Sequence, residues 1–138
     1  MNTIPALQPR GIRNKNPGNI RWNSLNNWVG QVGRDDAGYA VFSDAKWGIR
    51  AMGKVLESYH RNGTLSIRQI ITRWAPAADR NDTEAYIRHV TKALKKPEHF
   101  IPVKQEGDYL ALVKVIIQHE NGTNPYSDEF ITEALALA

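Results

Sequence analysis

From Ile49 to the C-terminus the apolar residues recur three and four apart rather than alternately, so this part of the chain can bury them only as helices packed on one another. Ser43-Asp44 supplies caps for a first helix, in which Ile49, Met52, Val55, Leu56 and Tyr59 share a face until Asn62-Gly63 ends the pattern. A second helix follows Thr64, with Ile67, Ile70, Ile71 and Trp74 as its buried stripe and Ala75-Pro76 as its stop. Asn81-Asp82-Thr83-Glu84 has capping-box spacing and opens a third, with Tyr86, Ile87, Val90 and Leu94 inward and Lys95-Lys96-Pro97 closing it. A fourth is expected from about Asp108 to His119, and Ser127, Asp128 and Glu129 cap a last one through Leu137.

Ahead of the helices the pattern changes. Asn19–Trp22, Trp28–Val32 and Tyr39–Phe42 are short aromatic or β-branched runs punctuated by Pro17-Gly18, Asn26-Asn27 and Asp35-Asp36-Ala37-Gly38, which predicts a small antiparallel sheet of two or three strands. Residues 1–16 are polar and basic with two prolines, and read as an extended basic arm. With no repeat, linker or low-complexity segment, residues 1–138 form one expected domain of the α+β class, predominantly helical. A chain of 138 residues buries enough apolar surface to fold without metal or disulfide staples.

Several chemistries lack their usual groups. Without cysteine there is no thiolate nucleophile, sulfur-ligated zinc or disulfide framework. His60, His89, His99 and His119 show no metal-ligand spacing on one helix face, and no nucleophile elbow, phosphate loop or dinucleotide fingerprint appears, so neither a metal nor any other cofactor is expected. No run approaches the ~20 apolar residues of a membrane-spanning helix, and Met1–Arg10 lacks the pattern of a signal peptide. Neither membrane insertion nor ordinary secretion is expected. The formal charge of +4 favours an anionic partner, but no DNA-reading motif accompanies it, and nucleic acid is not the expected one.

One carboxylate stands out of place. Tyr109, Val113, Ile116 and Glu120 fall on nearly the same side of the fourth helix, so Glu120 lies on its core-facing stripe. It also lies in the last turn, where unpaired carbonyls make the potential negative. Burial and the helix end both disfavour its charged form, which predicts a raised pKa and a proton available near neutrality. A shielded acid facing a groove is the minimum equipment for breaking a glycosidic bond. The alternative is a buried ion pair with Arg13 or Arg21, or a cap on backbone amides. Glu57 lies away from most of its helix's apolar stripe and reads as solvated.

Ile116-Ile117-Gln118-His119-Glu120-Asn121-Gly122-Thr123-Asn124-Pro125 resembles the catalytic signature of lytic transglycosylases and related enzymes of the lysozyme superfamily, in which a glutamate ends a helix ahead of a small polar residue, Gly and Asn-Pro. Those enzymes usually carry Ser after the glutamate, where Asn121 stands here. A longer resemblance includes Arg10-Gly11-Ile12-Arg13-Asn14-Lys15-Asn16-Pro17-Gly18-Asn19-Ile20, Gly48-Ile49-Arg50-Ala51, Arg73-Trp74-Ala75-Pro76 and Asn81-Asp82-Thr83. These segments are similar to small phage and prophage virion proteins of the structural protein P5 type, associated with wall penetration or lysis.

The resemblance implies a lysozyme-like fold. Because the sheet here precedes the glutamate helix, opposite to the usual order, that fold would be circularly permuted, with the sheet facing Glu120 across a groove. It implies glycan-strand cleavage of peptidoglycan by a muramidase or lytic transglycosylase, with Glu120 as general acid and base, in a virion or in a host cytoplasm with release to the wall. Asp35, chosen over Asp36, is the candidate second carboxylate for a hydrolase, its alternative being a plain turn residue. A transglycosylase, by the same resemblance, needs none. Asn16 and Asn19 are candidates to bond acetamido groups, and Trp28, Tyr39 and Tyr126 to stack on sugar faces, although core packing accounts for aromatics equally well. The rival from another class is a non-catalytic virion or wall-binding module.

Overall fold

The computed structural model describes residues 8–138. It is mostly helical with a small two-stranded antiparallel sheet, in the order α1 (Arg10–Arg13), β1 (Gln31–Arg34), β2 (Ala40–Phe42), α2 (Ala45–Arg61), α3 (Ile67–Trp74), α4 (Thr83–Leu94), α5 (Asp108–Asn121) and α6 (Asp128–Ala136). Short 3₁₀ turns at Ala77–Asp79 and Lys104–Glu106 precede α4 and α5.

The caps explain where the helices begin. Asp44, Ser66, Asp82 and Ser127 each accept a hydrogen bond from a backbone amide of the first turn of α2, α3, α4 and α6. The reciprocal capping box belongs to Ser66 and Gln69 on α3, while at α4 Asp82 caps alone. Helix α5 stops at Gly122, whose left-handed φ of 72° lets its amide return to the Gln118 carbonyl.

Helix α5 is the pillar of the core. Tyr109, Leu112, Val113, Val115, Ile116 and Ile117 bury it on most sides, α4 and α6 pack against it, and α2 closes over α6. Met52 and Leu56 from α2, Ile67 and Ile71 from α3, and Tyr86 and Val90 from α4 complete one continuous apolar cluster. A satellite cluster of Ala40, Phe42 and Ala51 joins the sheet to α2, with Trp22, Trp28 and Trp47 around it.

The sheet has two strands, within the expected two or three, while the expectation of an extended arm needs correction. Within the expected arm, residues 1–7 lie outside the described residues, but Arg10–Arg13 form a helical turn rather than an extended arm. Gly11, Ile12, Asn14 and Asn16 are buried, so this segment is built into the fold. The run Asn19–Trp22 makes only an isolated bridge, Arg21 with Tyr39. It bonds to the hairpin through the Ala40 amide on the Ile20 carbonyl and the Trp22 amide on the Gly38 carbonyl, but extends no further, because Asn19 is left-handed at φ 50° and the fully buried Asn16 side chain accepts the Ile20 amide and donates to its carbonyl. Likewise Trp28–Gly30 turn into the hairpin and pairing starts at Gln31, opposite Phe42.

Candidate active site

A groove of about 310 Å³ opens between the segment 18–39 and the helical body. Gly18, Asn19, Arg21, Trp28 and Tyr39 line it from the N-terminal side, Val55, Tyr59, Arg73, Trp74 and Asp79 from the helices, and Glu120 reaches it from the end of α5. Trp74 fixes the two sides together, its indole Nε1–H donating to the Gly18 carbonyl at 3.1 Å.

Glu120 is held by neutral donors. Asn19 Nδ2–H donates to Oε1 and the Tyr86 hydroxyl donates to Oε2, each at 2.9 Å. Among the described residues no cation lies within ion-pair distance of it, so the alternative of a salt bridge to Arg13 or Arg21 is absent there. Burial pushes its carboxyl pKa up, and the Asn19 and Tyr86 hydrogen bonds offset part of that rise. Such a carboxyl keeps its proton to higher pH than a solvated glutamate and presents it to a groove wide enough for a sugar-sized ligand.

Tyr86 is 1% exposed, and burial followed by the adjacent Glu120 charge raises its phenol pKa well above the ordinary value, so it remains a donor. The His119 ring stacks on Tyr86 with centroids 3.7 Å apart, and His119 Nδ1 lies 2.9 Å from His89 Nδ1 across α4 and α5. Desolvation, then His89, lowers the His119 pKa, which keeps that imidazole neutral over more of the pH range. Among the described residues no group of three or more histidine, cysteine or carboxylate side chains could hold a metal ion.

The other sequence candidates separate clearly. Asn19, Trp28 and Tyr39 line the groove with Glu120. Asn16 does not; Nδ2 donates to the Ile20 and Ala40 carbonyls and Oδ1 accepts the Ile20 amide, so both donors are used, and the side chain is fully buried out of a ligand's reach. Tyr126 packs on the core and stacks on Phe130, away from the groove lining. Asp35 also lies outside that lining, on the hairpin turn. Its carboxylate accepts from the Tyr39 and Ala37 amides and from Asn14 Nδ2, with Arg10 Nε at 3.4 Å. Desolvation pushes its pKa up, yet the Tyr39, Asn14, Ala37 and Arg10 contacts together hold it below the ordinary value. Glu57 is half-buried rather than solvated, paired with Lys104 Nζ at 2.7 Å.

Tyr86, Arg73 and Asp79 were not singled out by the sequence as parts of this site, and Arg21 was named only as an ion-pair alternative for Glu120, whereas all but Tyr86 line the groove. Tyr86 fell on the apolar stripe of α4, where a core tyrosine and a glutamate-holding tyrosine follow the same spacing. Asp79 lies in a 3₁₀ turn with no periodicity to orient it.

The chain is 38% identical over 122 residues to Protein P5 of Pseudoalteromonas phage PM2, an alignment spanning 86% of this chain and 74% of that protein. No protein-family model matches the chain.

Proposed function

The chain belongs to the phage protein P5 family, and we propose that it cleaves the glycan strand of peptidoglycan, with Glu120 as general acid. The observation that carries the proposal is a glutamate with a raised pKa, held by two neutral donors and no cation among the described residues, at the edge of an open groove. Glu120 gives its proton to the glycosidic oxygen as the C1–O bond breaks, and charge accumulates on the sugar ring. The carboxylate left behind is stabilised by the Asn19 amide and the Tyr86 hydroxyl and takes the proton of the nucleophile in the second half of the reaction.

Asp35 is fully engaged in its turn, which favours the single-carboxylate route in which the sugar's own hydroxyl attacks and leaves an anhydro end. Under this proposal the fold is a permuted relative of the lysozyme arrangement, in which sheet and glutamate helix face each other in reversed chain order. The site of action is the bacterial wall, reached from a virion or from the host cytoplasm.

The test is clearing of purified peptidoglycan by wild type and Glu120→Gln, with mass spectrometry of the soluble fragments. Clearing by wild type alone, with anhydro ends, is expected. Reducing ends would point to hydrolysis and to Asp79 as the groove's other carboxylate. A fully active Glu120→Gln protein would refute the assignment. One observation favours a second reading: Glu120 ties α5 to α4 and to Asn19, as a structural brace would. In a non-catalytic virion or wall-binding module, Glu120→Gln would change stability and leave wall binding intact, with no clearing by either protein.

A further inference from the structure

Among the described residues the ion pairs all lie outside the groove: Asp35 with Arg10, Glu57 with Lys104, Glu84 and Glu98 with Arg68, and Asp128 with Lys114. Arg21 and Arg73 are the basic side chains at the groove itself. Both are exposed, both line the groove, and neither forms an ion pair with any described residue.

They are nevertheless positioned. The Arg21 guanidinium lies over the Tyr39 ring at 4.8 Å, and that of Arg73 lies over the Tyr59 ring at 4.9 Å, with both rings in the groove lining. Arg73 Nη1 also donates to Thr64 Oγ1 at 3.3 Å. Stacking uses the flat face of a guanidinium and leaves its N–H edge available for a carboxylate, with part of the ordering entropy already lost before a ligand arrives. One arginine comes from the N-terminal side of the groove and the other from α3, so a strand lying in the groove passes between two unpaired, oriented cations.

We propose that Arg21 and Arg73 form a carboxylate-reading subsite, which makes the occupant of this groove an acidic amino-sugar polymer rather than a neutral one such as chitin. This rests on the glycan-cleavage reading and extends it to what the polymer must carry. The carboxylates can belong to the peptide stems or to the lactyl ether that is exposed once the stems are removed, and both offer the same flat, bidentate acceptor.

The experiment is co-sedimentation or surface binding of the full chain to three preparations: intact peptidoglycan, amidase-stripped glycan strands with free lactyl carboxylates, and the same polymers with carboxylates amidated by carbodiimide. Binding is read separately from clearing. Wild type is expected to prefer a carboxylate-bearing polymer over its amidated form by about tenfold, with the preference shrinking as salt rises. Arg21→Gln and Arg73→Gln are each expected to reduce that ratio, and the double variant to bring it close to one. Arg73→Lys, which keeps the charge but loses the fork, should recover part of it. A preference confined to intact peptidoglycan assigns the stem carboxylates, and one shown also by stripped strands assigns the lactyl group. A wild-type ratio near one, or an unchanged ratio in a folded double variant, overturns the subsite. Absence of clearing with the ratio intact refutes glycan cleavage while leaving the subsite standing.

Discussion

Gly11→Ala offers the sharpest test of how the first helical turn supports the groove. A Cβ on Gly11 would lie 2.5 Å from Asn121 Oδ1, 2.9 Å from the Asn16 carbonyl oxygen and 3.0 Å from Asn19 Oδ1. None of the three can move freely. Asn16 O is backbone and accepts the Asn19 amide, Asn121 Nδ2 is anchored on the Pro17 and Ile117 carbonyls, and Asn19 Nδ2 holds Glu120. The oxygens of Asn19 and Asn121 are already buried without a donor, so a methyl group between them adds strain without satisfying either. Overpacking of this kind costs about 1–3 kcal/mol, and the anchoring places it at about 2–3. The helix-propensity gain from removing glycine applies to helix interiors, and α1 is a single four-residue turn, so little is recovered. At roughly 0.3 kcal/mol per degree for a chain of this length, the thermal midpoint should fall by about 7–10 °C. Calorimetry of Gly11→Ala beside Gly33→Ala, whose added Cβ meets nothing within 4 Å, gives the comparison. Clearing per folded molecule should also fall in Gly11→Ala, because Asn19 is displaced from Glu120. A midpoint within about 2 °C of wild type, with full clearing, would refute both the rigidity of this corner and its link to the acid.

Gly48→Ala should be harsher still, because its Cβ would lie 2.1 Å from the Lys15 carbonyl oxygen, a backbone atom; a soluble variant with a wild-type melting curve would contradict that close approach. Glu120 has a raised folded-state pKa, so its contribution to stability is most favourable at or below the ordinary glutamate range and declines as pH rises through that range toward the folded value. Chemical denaturation across pH should therefore find Glu120→Gln gaining on wild type as pH rises through that window, and a gap independent of pH would contradict the desolvation of this carboxyl. Asp35 has a lowered folded-state pKa, so its contribution is present above the ordinary aspartate range and lost as pH falls toward the folded value. Asp35→Asn places an amide against the Asn14 and Arg10 donors and should cost about 1–2 kcal/mol near neutrality. The cost should shrink in acid, and clearing should fall no further than the loss of folded protein explains. Abolished clearing in a fully folded Asp35→Asn protein would return Asp35 to the chemistry.

The helices were legible because their information is local. Apolar residues three and four apart, with Asp44, Asp82, Ser127 and Gly122 near the ends, specify the segments through backbone hydrogen bonding and burial of one face, wherever the segments finally pack. Glu120 was legible for the same reason, since a carboxylate on a core-facing stripe is visible against its neighbours. What surrounds it is not local. Asn19 lies 101 residues away and Tyr86 34, and only packing of α4 on α5 and closure of the N-terminal segment over them bring those donors to its oxygens. The same folding removed Asp35, Asn16 and Tyr126 from the groove, because polar and aromatic side chains satisfy the nearest backbone donors, acceptors and apolar surface before any ligand. The sequence by itself determined the helices and the out-of-place acid. Tertiary structure alone decided which neutral donors hold that acid and which arginines share its groove, since contacts between segments far apart in the chain leave no period or spacing to read.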